Sequence, residues 1–267
     1  MLSYLNDPKL KEQFIAEITK HEKSDAIIQG SYSEGSGKSW KGCAVGCSLK
    51  SLNIINGTAD GSTSLHTRYE TDLGIPRAIA HLEDAIFEKM SVEESKTWPR
   101  RFAEAVPVGA DLSMVVTKFL VWLLIDPKDG VVKYARPDGK KSIEKIAEML
   151  QAKINGTVFS FDDWKKARDA AYTYAYAAAS ASASAAYDAA YASAAAYASA
   201  SAAYDASVAY AAAYTYAYAA SAYDASAYDA AASVAYAAAR KKARVEYASK
   251  MAGKLVELLN EAEVKLN

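Results

Sequence analysis

The chain has 267 residues, 51% hydrophobic and 24% charged, with a formal net charge of −1. That length supports a sizeable core in one large domain or two modest ones, and the balanced charge excludes a global pull toward nucleic acid or an acidic membrane. Two cysteines, Cys43 and Cys47, offer no disulfide framework and fit a reducing, cytoplasmic compartment. The N-terminus has no basic stretch followed by an apolar run, so no signal peptide is expected.

The first predicted element is an amphipathic helix from Pro8 to about Lys23, with Asp7 as N-cap and Pro8 in the first helical position. Leu10, Phe14, Ile15 and Ile18 form its apolar stripe. Asp25 to Gln29 reads as a short strand, Gly30 to Gly42 as a Gly/Ser-rich loop, Cys43 to Ile55 as a short apolar segment and Asn56 to Thr67 as a polar loop. Pro76 to Met90 is helical, with Ile79, Leu82, Ile86 and Phe87 near one face. Ser91-Val-Glu-Glu94 is a capping box opening a helix that runs into Trp98 to Phe102. Asp111 is expected to cap an apolar helix, Leu112 to Ile125. Its most apolar run, Phe119 to Ile125, is far too short for a membrane span. Asp126 to Gly130 is a turn, Val131 to Tyr134 a strand, and Pro137-Asp-Gly139 another turn. Ser142 to Ile154 is a helix ended by Asn155-Gly156. Ser160, with Asp162 and Asp163, starts the next one.

From Asp169 to Ala239 the usage changes completely: 38 Ala, 14 Tyr, 10 Ser, five Asp, two Thr and two Val. Alanine is the strongest helix former, and neither Gly nor Pro occurs between Thr157 and Ala252. A single straight helix of about ninety residues would be about 140 Å long, so a compact domain must fold it back into a hairpin or bundle. The segment is long enough to span a bilayer. However, Asp169, Asp188, Asp205 and Asp224 step by 19, 17 and 19 residues, and Ala and Ser gain little from lipid, so no membrane is expected. Repeated fragments recur at offsets of 42, 17 and 26, which gives no single solenoid period. On a helical projection Tyr176, Tyr187, Tyr191, Tyr216 and Tyr223 share one side, whereas Tyr210, Tyr214 and Tyr228 do not. Alanine lets helix axes approach closely, and tyrosine adds area with a polar tip. Such a surface packs on itself or on another copy, so a homo-oligomer or filament is expected. The tail, Arg240 to Asn267, returns to an amphipathic pattern of Val245, Ala248, Ala252, Leu255 and Leu259. Gly253 is the first local signal that would stop this helix.

Candidate chemistry clusters in residues 34–101. Glu34-Gly-Ser-Gly-Lys-Ser39 looks like the end of a phosphate-binding loop, but Tyr32 stands where the pattern needs glycine, and Gly42 interrupts the helix that should follow. Cys43 and Cys47 have a spacing tolerable for zinc, with His66 or His81 as further ligands. The second half of a zinc site is missing, so two buried small residues at a tight turn are expected, with no metal or cofactor. His66-Thr-Arg-Tyr-Glu70 offers a polar pocket in a loop, without spacing that identifies a nucleophile. Arg100 and Arg101 fit a solvated basic pair or an anion contact. The candidate ligand-binding set is Lys38, Trp40, Cys43, Cys47, His66, Arg68 and Arg100, and no catalytic residue is assigned.

Five stretches carry a resemblance: Lys41-Gly-Cys-Ala-Val-Gly-Cys-Ser48, Tyr69-Glu-Thr-Asp-Leu-Gly-Ile-Pro76, Leu82-Glu-Asp-Ala-Ile-Phe-Glu88, Trp98-Pro-Arg-Arg-Phe102 and Val108-Gly-Ala-Asp-Leu112. The pattern resembles a group of small bacteriophage and prophage accessory proteins, which often end in a long Ala-rich tail with Ser and aromatic residues. The resemblance covers about residues 35–125 in motif and the remainder in composition. It implies an intracellular context in a bacterial host and brings no catalytic residue with it.

The expected fold is therefore mainly α: a helical N-terminal domain, 1–158, followed over 159–267 by an Ala/Tyr/Ser-rich hairpin or bundle and an amphipathic C-terminal helix. The expected function is a non-enzymatic phage-type accessory protein. It self-associates through the Ala/Tyr helices and binds or sequesters a host protein or small ligand, with no nucleic acid and no membrane. Two alternatives differ in class: an enzyme or nucleotide binder using the Gly30–Cys47 loop with His66 and Arg68, and a structural filament former.

Overall fold

Asp7 accepts a hydrogen bond from the Lys9 N–H at 2.8 Å and Pro8 needs no N–H partner, so α1 (Pro8–Lys23) starts where the sequence places it. Phe14 and Ile18 are buried on its inner face. The computed structural model describes residues 1–58, 65–134, 137–167 and 230–265, and Tyr176, Tyr187, Tyr191, Tyr216 and Tyr223 lie outside that set. Among the described residues the fold is mainly helical and contains isolated bridges but no strand. After α1 come α2 (Ala44–Ile55), α3 (Thr67–Leu73), α4 (Arg77–Phe87), α5 (Val92–Ala105), α6 (Val115–Ile125), α7 (Pro137–Ile154) and α8 (Ala230–Asn260). No helix of the described residues is long and apolar enough to cross a membrane.

The chain divides into two compact units: Met1–Val115 with Val245–Asn267, and Val116–Arg244. The domain boundary expected at 158/159 is not an edge of either unit.

In the first unit α1 packs on α2 and α5, α2 also meets α4 and α5, and α3 lies on α4 and the N-terminal turn. Trp98, Phe102, Phe14, Phe87, Leu49 and Leu52 fill the core. Ser91 caps α5 by accepting the Glu94 N–H at 3.2 Å. Before α1, Tyr4, Leu5 and Asn6 all hold left-handed φ angles between 51° and 59°. That conformation costs about 1–2 kcal/mol per residue. The full burial of Tyr4 offsets it: the ring tilts on Phe14 and its O–H donates to the Ala103 carbonyl at 2.6 Å.

Residue 3 and residues 263–265 meet on residues 107–111. Ser3 N–H donates to the Ala110 carbonyl and Gly109 N–H returns a bond to Ser3. On the other side Asp111 N–H donates to Glu263, and Lys265 N–H donates to Gly109. Ala248, Met251, Ala252, Leu255, Leu258 and Leu259 bury one face of α8, and the Ser249 hydroxyl donates to the Glu94 carboxylate at 2.7 Å.

In the second unit, the turn after α6 is held by Asp126 Oδ1, which accepts from Lys128 and Asp129 N–H. Ile143, Ile146, Ala147 and Leu150 are buried along α7. Gly156, at φ +92°, turns the chain after this helix. Residues 161–167 then begin a helix: Ser160 and Asp163 satisfy each other's N–H groups, and Phe159 meets Trp164 edge-on at 5.3 Å as a hydrophobic staple.

Several elements differ from the sequence expectation. Asp25 to Gln29 forms only a parallel bridge, Ile27 to Gly42. Cys43 to Ile55 is α2, whose near-complete burial hides helical periodicity. His66 to Glu70 is the start of α3 rather than a loop, and Val131 to Tyr134 is a 3-10 turn rather than a strand. Asp111 accepts from the Ser113 N–H and from Lys265 Nζ, and α6 begins later, at Val115. Pro137 to Gly139 starts α7, because proline tolerates the first turn of a helix. Gly253 lies on the exposed face of α8 and does not end it.

Candidate functional site

The Gly-Cys-Ala-Val-Gly-Cys stretch is shaped by a close backbone approach. A Cβ at Gly46 would lie 1.8 Å from the Tyr32 carbonyl oxygen, and one at Gly42 would lie 2.8 Å from the same atom. Only glycine lets the loop before α2 press against its first turn. That loop is tied by Gly42 N–H to the Ala26 carbonyl, Ile28 N–H to the Gly42 carbonyl and Cys43 N–H to the Ser31 carbonyl. Cys43 is the N-cap of α2, its Sγ accepting the Gly46 N–H at 3.4 Å.

α4 brings acidic side chains to this buried helix end. Asp84 and Glu88 are one turn apart and so share a face. One ligand atom from each of Cys43, Asp84 and Glu88 lies within 4.8 Å of the other two. Cys43 and Asp84 are buried, and Glu88 sits at the exposed rim, where it accepts the Gly30 N–H at 2.9 Å. The Gln29 side-chain amide donates to the Phe87 and Met90 carbonyls and fixes the C-terminal end of α4.

His66, immediately before α3, reaches the same cluster. Its Nε2 is 3.4 Å from Asp84 Oδ2, and its ring stacks on His81 with centroids 3.9 Å apart and meets the Tyr32 ring edge-on. Nε2 is sealed from solvent and makes no hydrogen bond among the described residues, so the Asp84 contact has ion-pair distance without hydrogen-bond alignment.

The electrostatics keep the thiols protonated. Burial pushes the Cys43 thiol up, and the negative charges of Asp84 and Glu88 add to that; the Gly46 N–H opposes it only partly. Burial likewise pushes Cys47 well up. A nucleophilic cysteine needs the reverse, an electropositive and partly open setting. Burial, followed by the neighbouring His66, lowers His81 to about 4. Glu83, on the inner side of α4, is raised to about 8 by burial. The Tyr69 hydroxyl donates to one of its oxygens at 2.7 Å, and the other makes no hydrogen bond among the described residues.

Of the sequence candidates, Cys43 and His66 are brought together, with Asp84 between them. Cys47 is buried one turn along α2, its Sγ directed at the Gly42 carbonyl. Lys38 is exposed in the turn Gly37–Ser39, and α2 starts only at Ala44 rather than directly after Ser39. Trp40 packs on His21 at 5.1 Å with the Lys50 ammonium 6.0 Å away. The Arg68 guanidinium is engaged by Asp72 and Asn53, tying α3 to α2. Arg100 is engaged by Glu22 and Glu104. Sequence reasoning missed Asp84 and Glu88. The available signal was an acidic pair spaced by four residues at the end of a helical stretch, flanking Ala85, Ile86 and Phe87.

In comparisons with known proteins, the chain matches no protein family, no curated protein and no solved structure.

Proposed function

We propose that this is a non-enzymatic accessory protein of phage type that acts by assembly in the cytoplasm of a bacterial host. The Ala/Tyr segment associates with copies of itself, and the assembled protein binds or sequesters a host component or small ligand. Neither nucleic acid nor a membrane is its partner. The observation that carries this reading is the segment itself: 71 residues from Asp169 to Ala239 with 38 alanines, 14 tyrosines and no lysine, arginine or leucine. Small residues allow close helix contact, and phenol rings supply area with a polar tip. A surface of this composition is suited to packing against a copy of itself, and Tyr176, Tyr187, Tyr191, Tyr216 and Tyr223 are the residues assigned to that contact. Burial, which pushes the Cys43 thiol up, weighs against its use as a catalytic nucleophile.

Native mass spectrometry of the full chain tests the reading. A discrete oligomer or a ladder of assemblies supports it; a monomer near 28.7 kDa at all concentrations overturns it.

A further inference from the structure

The geometry points to a transition-metal site at the junction of α2 and α4, with Cys43, Asp84 and Glu88 as ligands and His66 Nε2 as the fourth, suited to Zn²⁺. The three ligand atoms already lie within 4.8 Å of one another. A tetrahedral zinc with bonds of about 2.0–2.3 Å holds its ligand atoms about 3.3–3.8 Å apart, so these three must draw together, and His66, which lies outside that 4.8 Å group, must turn in to complete the set. His66 Nε2 reaches this group through Asp84 alone, at 3.4 Å from Oδ2.

A carboxylate pair beside a thiol is not sufficient grounds for a site. The independent observation is His66: it is 7% exposed, and its Nε2 makes no hydrogen bond among the described residues and faces Asp84. A buried imidazole nitrogen without a hydrogen bond is costly, and coordination removes that cost. Two acidic groups one turn apart, facing a buried thiol, repel one another unless a cation lies between them. One sulfur, one imidazole nitrogen and two carboxylate oxygens select zinc-like ions over Mg²⁺ or Ca²⁺, which favour all-oxygen shells. The exposed Glu88 provides the approach from solvent. On binding, the Cys43 S–H bond breaks, the sulfur bonds the metal and the proton leaves to solvent, with no redox change. The proposal is independent of assembly through the Ala/Tyr segment.

Co²⁺ titration of metal-stripped full-length protein is the test, read by absorbance. The expected result is a thiolate-to-cobalt charge-transfer band with intense tetrahedral d–d bands, displaced by Zn²⁺, and one proton released per ion. Cys43→Ser abolishes the charge-transfer band and Cys47→Ser retains it. Asp84→Asn, Glu88→Gln and His66→Gln each remove a ligand and weaken Co²⁺ binding by about 10-fold or more. Circular dichroism confirms that each variant is folded. The wild-type titration stands without the variants: folded protein that shows no charge-transfer band overturns the site. So does a band that survives Cys43→Ser, or affinity unchanged by Asp84→Asn or His66→Gln.

Discussion

α2 and the last part of α8 are both helices of the first unit, and they are buried in opposite ways. In α2 nearly every side chain from Ala44 to Asn53 is buried, whereas α8 from Val245 onward buries a stripe of Ala248, Met251, Ala252, Leu255, Leu258 and Leu259 and leaves the rest to solvent. One-sided burial writes a period of 3.6 residues into a sequence; all-round burial erases it. The polar cluster of Cys43, Asp84, Glu88 and His66 thus joins the start of this all-round buried helix to the amphipathic α4, whereas the buried stripe of α8 is apolar.

The sharpest way to break this comparison is Gly46→Ala. On α2 the added methyl meets the Tyr32 backbone, which cannot move aside as a side chain would, and the expected loss is about 4 kcal/mol in urea denaturation. A loss under about 1 kcal/mol would mean that the loop does not press on α2. On α8, Leu255→Ala removes a fully buried side chain and is expected to cost about 3 kcal/mol in the same assay.

Glu83→Gln probes the buried polar side of α4. The folded-state value of about 8 lies above the ordinary 4.5, so the native protein holds a proton that the unfolded chain releases. The Glu83 contribution to stability is thus fully present below pH 4.5 and is lost as pH rises toward 8. His81, lowered from 6.5 to about 4, works in the opposite sense between those values, so the Glu83 slope is read cleanly only above pH 6.5. Glutamine keeps an acceptor for Tyr69 and removes the slope, with a gain on the order of 2 kcal/mol at pH 7. A wild-type stability that stays flat from pH 6.5 to 8 would show Glu83 to be ordinary.

The smallest effect is expected at Gly253→Ala. No atom lies within 4 Å of the added methyl, so only helix propensity changes, with a gain of about 0.5–1 kcal/mol in thermal melts. A loss there would place that face of α8 against something.

The parts of the fold legible in sequence are those with local causes. Asp7-Pro8, Ser91 with Glu94, and Ser160 with Asp163 each start a helix by satisfying backbone N–H groups within one turn, and each was readable. The misread elements have distant causes. Ile27 pairs with Gly42 because the loop between them folds on α2. Asp111 turns toward Lys265, a partner 154 residues away, so its local capping pattern was overridden. The candidate site follows the same rule. Cys43 and His66 stood out as metal-binding residue types. Asp84 and Glu88 were hidden within a motif that read as an ordinary amphipathic helix, since their meaning depends on α2 lying opposite. Lys38 and Arg68 fit motif chemistry yet are spent elsewhere, Arg68 on Asp72 and Asn53.

The pairing of Ser3 and of Glu263 to Lys265 with residues 107–111 makes the first unit a clasp closed by segments far apart in sequence. Residues 116–244 are then a detour between two parts of one folded body. Peptide-bond cleavage within that detour yields two polypeptides that both belong to the clasp. Since α8 is held there by its buried leucines and by the Ser249–Glu94 bond, the pieces should stay together as a non-covalent pair and separate only in denaturant. A cut in that stretch is therefore expected to leave the first unit folded.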